Sequence, residues 1–254
     1  MSTVIYPSPI FGPVKSRRLG VSLGINLMPA DGKICSFNCV YCECGFNEEH
    51  RPHSKRPTRE EVRNALCAKL TDMQAHGHEP DVLTFAGNGE PTAHPDFASI
   101  IDDTLSLRDR FFPKAKVSVL SNATFIHRDN VFKALLKVDN NIQKLDTADR
   151  DYIGRTDRPT GTYDVPKTIA RLVDFQGHVI IQTMFMKGNG FDNTADSYVL
   201  PWIEALKKIK PASVMIYTID RETPMKGLEK ASREELDGIA HRVIEAGLQC
   251  TTSY

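Results

Sequence analysis

The sequence predicts an α/β fold: an open, partial (β/α)6 barrel of the TIM type. Two observations carry this. Short apolar, β-branched runs alternate with segments of helical periodicity, and there are six such pairs, fewer than a closed eight-fold barrel needs. Strands of this kind, each followed by a helix, form a parallel sheet whose right-handed crossovers curl or wind it in one sense. A doubly wound open sheet is the competing topology. The chain has 254 residues, 41% hydrophobic and 25% charged, enough for one such barrel or two smaller domains. No low-complexity or linker-like run divides it, so one domain over 1–254 is expected, with an amino-terminal extension over 1–19 and the barrel over 20–250.

The elements follow in order. After an extended opening containing Pro7, Pro9 and Pro13, Val21, Leu23, Ile25 and Leu27 alternate in a first strand over 20–28. Thr58 and Glu61 form a capping box behind Pro57, and Val62, Ala65, Leu66, Leu70 and Met73 recur at helical spacing as far as Gly77. The alternation continues with a strand over 81–86, a helix over 95–108, a strand over 116–121, a helix over 128–138, a strand over 143–147 and a helix over 165–175. A strand over 178–186 and a helix over 198–208 come next. A strand over 213–219 then precedes a helix running from the Ser232/Glu235 capping box to Ala246, closed by Gly247.

Basic and acidic residues balance at 32 each, which argues against a generally basic nucleic-acid binder. No apolar run approaches the roughly 18 residues of a membrane span, and the region after Met1 lacks a signal-peptide layout. A cytoplasmic protein with no membrane partner is expected. Four of the six cysteines, Cys35, Cys39, Cys42 and Cys44, fall within ten residues. Disulfides among thiols this close would be strained and would need an oxidising compartment, so the cluster reads as a metal site. The spacing Cys35-x3-Cys39-x2-Cys42 sets three thiolates on a short turn, suited to three corners of a cubane iron–sulfur cluster with one iron left open. Zinc is the rival, but it commonly takes paired CxxC elements or added histidines. Cys44 is either a fourth ligand, which would make an electron-transfer centre, or a thiol beside the cluster. Cys67 and Cys250 read as ordinary thiols.

In parallel α/β proteins ligands sit at the carboxyl ends of the strands, and the unusual residues all fall there. Gly87, Asn88, Gly89, Glu90, Pro91 and Thr92 follow the second strand, and Ser121, Asn122, Ala123 and Thr124 the third. Asp146 and Thr147 end the fourth; Gln182 and Thr183 lie in the fifth; Tyr217, Thr218, Asp220 and Arg221 end the sixth. Each also has a plainer reading. The glycine segment suits a turn, Ser121 and Asn122 suit a turn or helix cap, Gln182 and Thr183 could satisfy each other, and Asp146, Asp220 and Arg221 could form an ion pair.

The Cys35, Cys39, Cys42 loop with Tyr41 before its last cysteine, followed by Gly87, Asn88, Gly89, Glu90 and Pro91, resembles the radical S-adenosylmethionine (SAM) superfamily. The segments 12–20, 22–26 and 217–221 further resemble its wyosine-synthase-related (tRNA-imidazoguanine synthetase-like) branch, although no cysteine precedes Cys35 to hold that branch's second cluster. The resemblance implies a radical SAM core in which Cys35, Cys39 and Cys42 hold a [4Fe-4S] cluster and SAM chelates the fourth iron. One electron, from a donor such as flavodoxin or ferredoxin, would cleave SAM to a 5′-deoxyadenosyl radical that abstracts hydrogen from a substrate. It further implies SAM contacts from Gly87, Asn88, Gly89 and Glu90 to the methionine ammonium, from Tyr41 to adenine, from Ser121 and Asn122 to ribose or carboxylate, and from Gln182 to the nucleoside. A small molecule, peptide, glycyl-radical protein or tRNA remains open as substrate, the neutral charge disfavouring tRNA. Arg51, His53, Lys55, Arg56 and Arg59, and the shorter Lys15, Arg17, Arg18, are the basic segments that could meet phosphate; a solvated loop suits them equally.

Overall fold

The structure, a computed structural model, describes residues 3–16 and 20–254. Arg17 and Arg18 therefore lie outside the described residues. Its elements run β1 (Ile10–Ser16), β2 (Gly20–Ile25), α1 (Arg59–Ala75), β3 (Val82–Phe85), a 3-10 turn (Pro91–Ala93), α2 (Phe97–Phe111), β4 (Lys116–Ser121), α3 (Asp129–Leu135), β5 (Asn140–Lys144), α4 (Arg150–Thr156) and α5 (Val165–Val173). They continue with β6 (Ile180–Gly188), β7 (Phe191–Asp192), α6 (Asp196–Ile209), β8 (Ser213–Thr218), β9 (Glu229–Lys230), α7 (Arg233–Glu245) and β10 (Cys250–Ser253).

The main path of the sheet runs β1-β2-β3-β4-β5-β6-β8-β10 and is parallel except for β1, which pairs antiparallel with β2; β7 and β9 pair antiparallel with β6 off this path. Strand order never reverses, as it must in a doubly wound sheet. The path from β1 to β10 does not close on itself, so the barrel is open. The six expected strands correspond to β2, β3, β4, β5, β6 and β8, and β10 extends the sheet from Cys250↔Val214 to Ser253↔Tyr217. That strand is short and rich in Thr and Ser, which hid it among tail residues.

Both expected capping boxes are formed, Thr58 with Glu61 on α1 and Ser232 with Glu235 on α7. β5 begins earlier than its apolar residues suggest, because Asn140 and Asn141 are satisfied: Asn140 donates to Ser118 and Asn141 to the His178 carbonyl. α4 was not expected; it is seven residues long, begun by Asp149, whose carboxylate accepts from Tyr152 N–H.

The strand pleat divides the molecule. Leu23, Ile25, Leu83, Phe85, Val117, Val119, Ile181, Val214 and Ile216 pack outward against Leu66, Leu70, Phe97, Ile101, Leu172, Trp202, Leu206 and Leu236 of the helices. The alternate residues, including Ser22, Gly24, Thr84, Ile142, Gln182 and Met215, face a cavity of about 590 Å³. These are mostly small or polar residues, so the barrel interior stays hollow where larger apolar side chains would fill it. The ring of Phe11 on β1 occupies the space over Gly24, where a Cβ would meet it at 2.1 Å, and makes one wall of that cavity. Among the described residues no helix is long and apolar enough to cross a membrane.

Candidate active site

The cysteine loop leaves β2 and is tied down on two sides. Ile34 forms a parallel bridge with Gly89: Ile34 N–H donates to the Asn88 carbonyl at 3.0 Å and Glu90 N–H to the Ile34 carbonyl at 3.2 Å. On the other side Val40 N–H donates to the Thr156 carbonyl at 2.8 Å and Asn38 N–H to that of Asp157 at 2.9 Å. The last carbonyls of α4, which have no partner within the helix, are thus satisfied by the loop that carries the thiols. Asn47 braces it from inside, donating to the carbonyls of Cys35 and Phe37.

Cys35, Cys39 and Cys42 are partly exposed and free of disulfides. Each sulfur faces a donor: Asn122 Nδ2 lies 3.6 Å from Cys35 Sγ, Lys144 Nζ 3.6 Å from Cys39 Sγ, and Lys33 hydrogen-bonds Cys42. Burial pushes the Cys35 thiol up to about 12 and Cys39 well above the ordinary thiol value. Cys42 goes the other way, to about 6, because the Cys44 thiol donates to it and Lys33 lies beside it. Cys44 is buried, also reaches the Gly87 carbonyl at 3.4 Å, and is held protonated by its bond to Cys42 and by burial. Among the described residues no group of three or more His, Cys, Asp or Glu side chains is gathered to hold a single metal ion.

The glycine segment serves this loop directly. Gly89 has φ +138, and a Cβ on it would stand 1.8 Å from the Ile34 carbonyl oxygen. Asn88, fully buried, pairs with both the N–H and carbonyl of Tyr6 at 2.8 Å and donates to the Pro29 carbonyl, so its side chain holds the amino-terminal segment. Glu90, also buried, accepts from Thr92 N–H and hydroxyl and from Asn122 N–H at 2.7 Å, tying the β3 loop to the β4 loop. Burial raises its carboxyl. Ser121 accepts from Ala123 N–H, and Asn122 bonds Ser36 as well as facing Cys35. Gly87 and Gln182 line the cavity. Thr183 points to the opposite face and donates to the Leu145 carbonyl, so it does not satisfy Gln182.

A buried cationic centre went unnoticed in the sequence. Lys144 Nζ bonds Asp146 at 2.7 Å and Asp157 at 2.6 Å and lies 4.3 Å over the Tyr41 ring, while the Tyr41 hydroxyl donates to Asp146. Burial alone would lower the Lys144 ammonium, but Asp146, Asp157 and Cys39 hold it well above its ordinary value. Burial likewise pushes Asp157 up, to about 7, against the pull of Lys144. Of the ion pair expected among Asp146, Asp220 and Arg221, Asp146 pairs with Lys144 instead, while Arg221 pairs with Glu43 at 2.8 Å near the cavity mouth and also feels the charge of Asp220. The one available signal for Lys144 was its position two residues after Ile142, on the same pleat face.

The radical SAM superfamily profile matches residues 31–200, a span that opens just before the cysteine loop and reaches past Gln182; the chain belongs to that superfamily. Such enzymes use a [4Fe-4S] cluster and SAM, and three thiols with a donor facing each sulfur, beside a hollow barrel end, fit that cluster. Within the superfamily the chain is a UPF0026 protein: that of Helicobacter pylori strain J99 is 32% identical over 231 residues, covering 89% of this chain and 71% of that protein. Among solved structures, SuiB of Streptococcus suis bound to S-adenosylmethionine matches with a TM-score of 0.66 at 13% identity, over 91% of this chain and 50% of that chain. A radical SAM methyltransferase from Sphaerobacter thermophilus matches with a TM-score of 0.67 at 14% identity, over 92% of this chain and 66% of that one. At those identities the likeness is one of fold, and this chain spans only half to two thirds of either protein.

Proposed function

We propose that Cys35, Cys39 and Cys42 hold the [4Fe-4S] cluster, that SAM takes the remaining iron, and that the enzyme acts by hydrogen abstraction on a substrate bound in the barrel cavity. Held by Cys35, Cys39 and Cys42, a cluster would make one electron available for cleavage of the SAM sulfonium, and the 5′-deoxyadenosyl radical so formed would take a hydrogen atom from the substrate. The observation that carries this is the shared wall: the Gly87 carbonyl is hydrogen-bonded by Cys44 beside Cys42, and Gly87 itself lines the cavity of about 590 Å³. The chain's own part is to orient and to exclude water. Gln182 lines the cavity in which SAM would bind, Asn122 would meet it from beside Cys35, Tyr41 from beside Cys42, and Glu90 ties the β3 loop to the β4 loop. Flavodoxin or ferredoxin is a suitable electron donor, and a reducing cytoplasm suits the free thiols.

An electron carrier with Cys44 as fourth ligand is the reading from another class; it requires Cys44 to leave its bonds to Cys42 and Gly87. Placement in the wyosine-synthase-related branch rests on the segments 12–20, 22–26 and 217–221. Arg59, the last residue of the basic segment, is engaged bidentately by Asp103 at 2.7 and 2.9 Å, which leaves fewer cations for tRNA phosphate. Anaerobic reconstitution with reductant and SAM tests the proposal: release of 5′-deoxyadenosine is expected, and its absence despite an intact cluster would favour the carrier. Which addition accelerates that release, a tRNA, a peptide, a glycyl-radical protein or a small metabolite, identifies the substrate class.

A further inference from the structure

Two buried ammonium groups stand on different sides of the cysteine loop. Lys33, 3% exposed, donates to the Gly45 carbonyl at 2.7 Å and hydrogen-bonds Cys42. Lys144, with 14% of its side chain exposed, directs Nζ to Cys39 Sγ at 3.6 Å and is held there by Asp146 and Asp157. Taking an ammonium out of water costs several kcal/mol even after relaxation; Asp146 and Asp157 offset this for Lys144, and Lys33 beside Cys42 calls for a negative partner. Cys35, Cys39 and Cys42, ionised as cluster ligands, would be such a partner. Asn122 completes the set with a neutral donor to Cys35.

The potential of an iron–sulfur cluster depends on its net charge, on hydrogen bonds to its sulfurs and on its exposure. Reduction adds one electron and so one negative charge to the site. A fixed cation nearby therefore stabilises the reduced form more than the oxidised one, and does so strongly at low dielectric. We propose that Lys33 and Lys144 are positioning residues that act through Cys42 and Cys39, raising the reduction potential of the [4Fe-4S] cluster so that a flavodoxin- or ferredoxin-class donor can deliver its electron. Asp157, 2.6 Å from Lys144, works against this and trims the effect. The proposal rests on Cys35, Cys39 and Cys42 being the cluster ligands.

The test is an EPR-monitored redox titration of the anaerobically reconstituted 254-residue enzyme, with iron and sulfide counted in each sample. Lys33→Met and Lys144→Met should each shift the midpoint to more negative potential, Lys144→Arg should stay near wild type, and Asp157→Asn should shift it to more positive potential. Opposite shifts from two residues in contact with each other cannot come from loosened packing, which would move both variants the same way. Should Lys144→Met fail to assemble, Lys33→Met and Asp157→Asn still give opposite signs, read at Cys42 and at Cys39. Wild-type midpoints in cluster-loaded Lys33→Met and Asp157→Asn would overturn the proposal. A wild-type chain that assembles no cluster would overturn the ligand assignment, and this inference with it.

Discussion

The carbonyl oxygen of Ile34 occupies the space where a Cβ on Gly89 would be, 1.8 Å from the ideal position. This approach joins the cysteine loop to the β3 loop, and only glycine permits it, since φ at Gly89 is +138 as well. Gly89→Ala should therefore lower stability by at least about 1–3 kcal/mol from the backbone conformation alone, and reduce iron uptake on reconstitution by displacing Ile34 and its neighbour Cys35. Gly154, inside α4 with nothing within 4 Å of its would-be Cβ, is the control. Gly154→Ala should stabilise by about 0.5–1 kcal/mol. Urea midpoints of the two variants check both signs.

The thiols should separate by role. Alanine at Cys35, Cys39 or Cys42 should abolish both the cluster absorbance and 5′-deoxyadenosine release. Cys44→Ala should keep four irons per chain and most of the cleavage, because its sulfur is already bonded to Cys42 and the Gly87 carbonyl. Iron loss from Cys44→Ala equal to that from Cys35→Ala would instead make Cys44 a ligand.

What was legible followed strict local rules. The capping boxes at Thr58 and Ser232, the period-two strands and the cysteine spacing each reflect chemistry within a few residues, and the structure keeps them. Long-range partnerships were hidden. Asn88 belongs to a motif that points to a ligand, yet its side chain is spent on Tyr6, 82 residues away, and on Pro29. Asp157 sits at the end of a short helix too polar to be noticed, and meets Lys144 only because β5 and the cysteine loop converge on it. Nothing local marks Lys33 as buried, and for Lys144 the only local mark is its place on the pleat face of Ile142.

That use of Asn88 is itself testable. Its loss leaves the Tyr6 N–H and the Tyr6 and Pro29 carbonyls short of partners at a fully buried position. Asn88→Ala should cost about 2–4 kcal/mol and speed hydrogen exchange at the Tyr6 amide above the rate set by global unfolding. Exchange at Tyr6 that tracks global stability alone would mean that Asn26, which also donates to the Tyr6 carbonyl, suffices to hold the segment.

Acid sensitivity should trace in part to Asp139, far from the thiols. Burial opposes its charge, but Val117 N–H at 2.8 Å, the Arg108 guanidinium at 2.8 Å and Lys116 more than compensate, so its carboxyl lies below the ordinary 3.8. A carboxyl lowered on folding contributes stability that is fully present above its unfolded value and is lost as pH falls through the folded one. Asp139→Asn should accordingly destabilise the protein by about 1–3 kcal/mol at neutral pH. The gap between variant and wild type should narrow as pH drops below 3.8, where the wild-type carboxyl itself takes up a proton. Urea unfolding of both proteins from neutral pH into that range measures the difference, and a gap that stays constant throughout would remove Asp139 from the account.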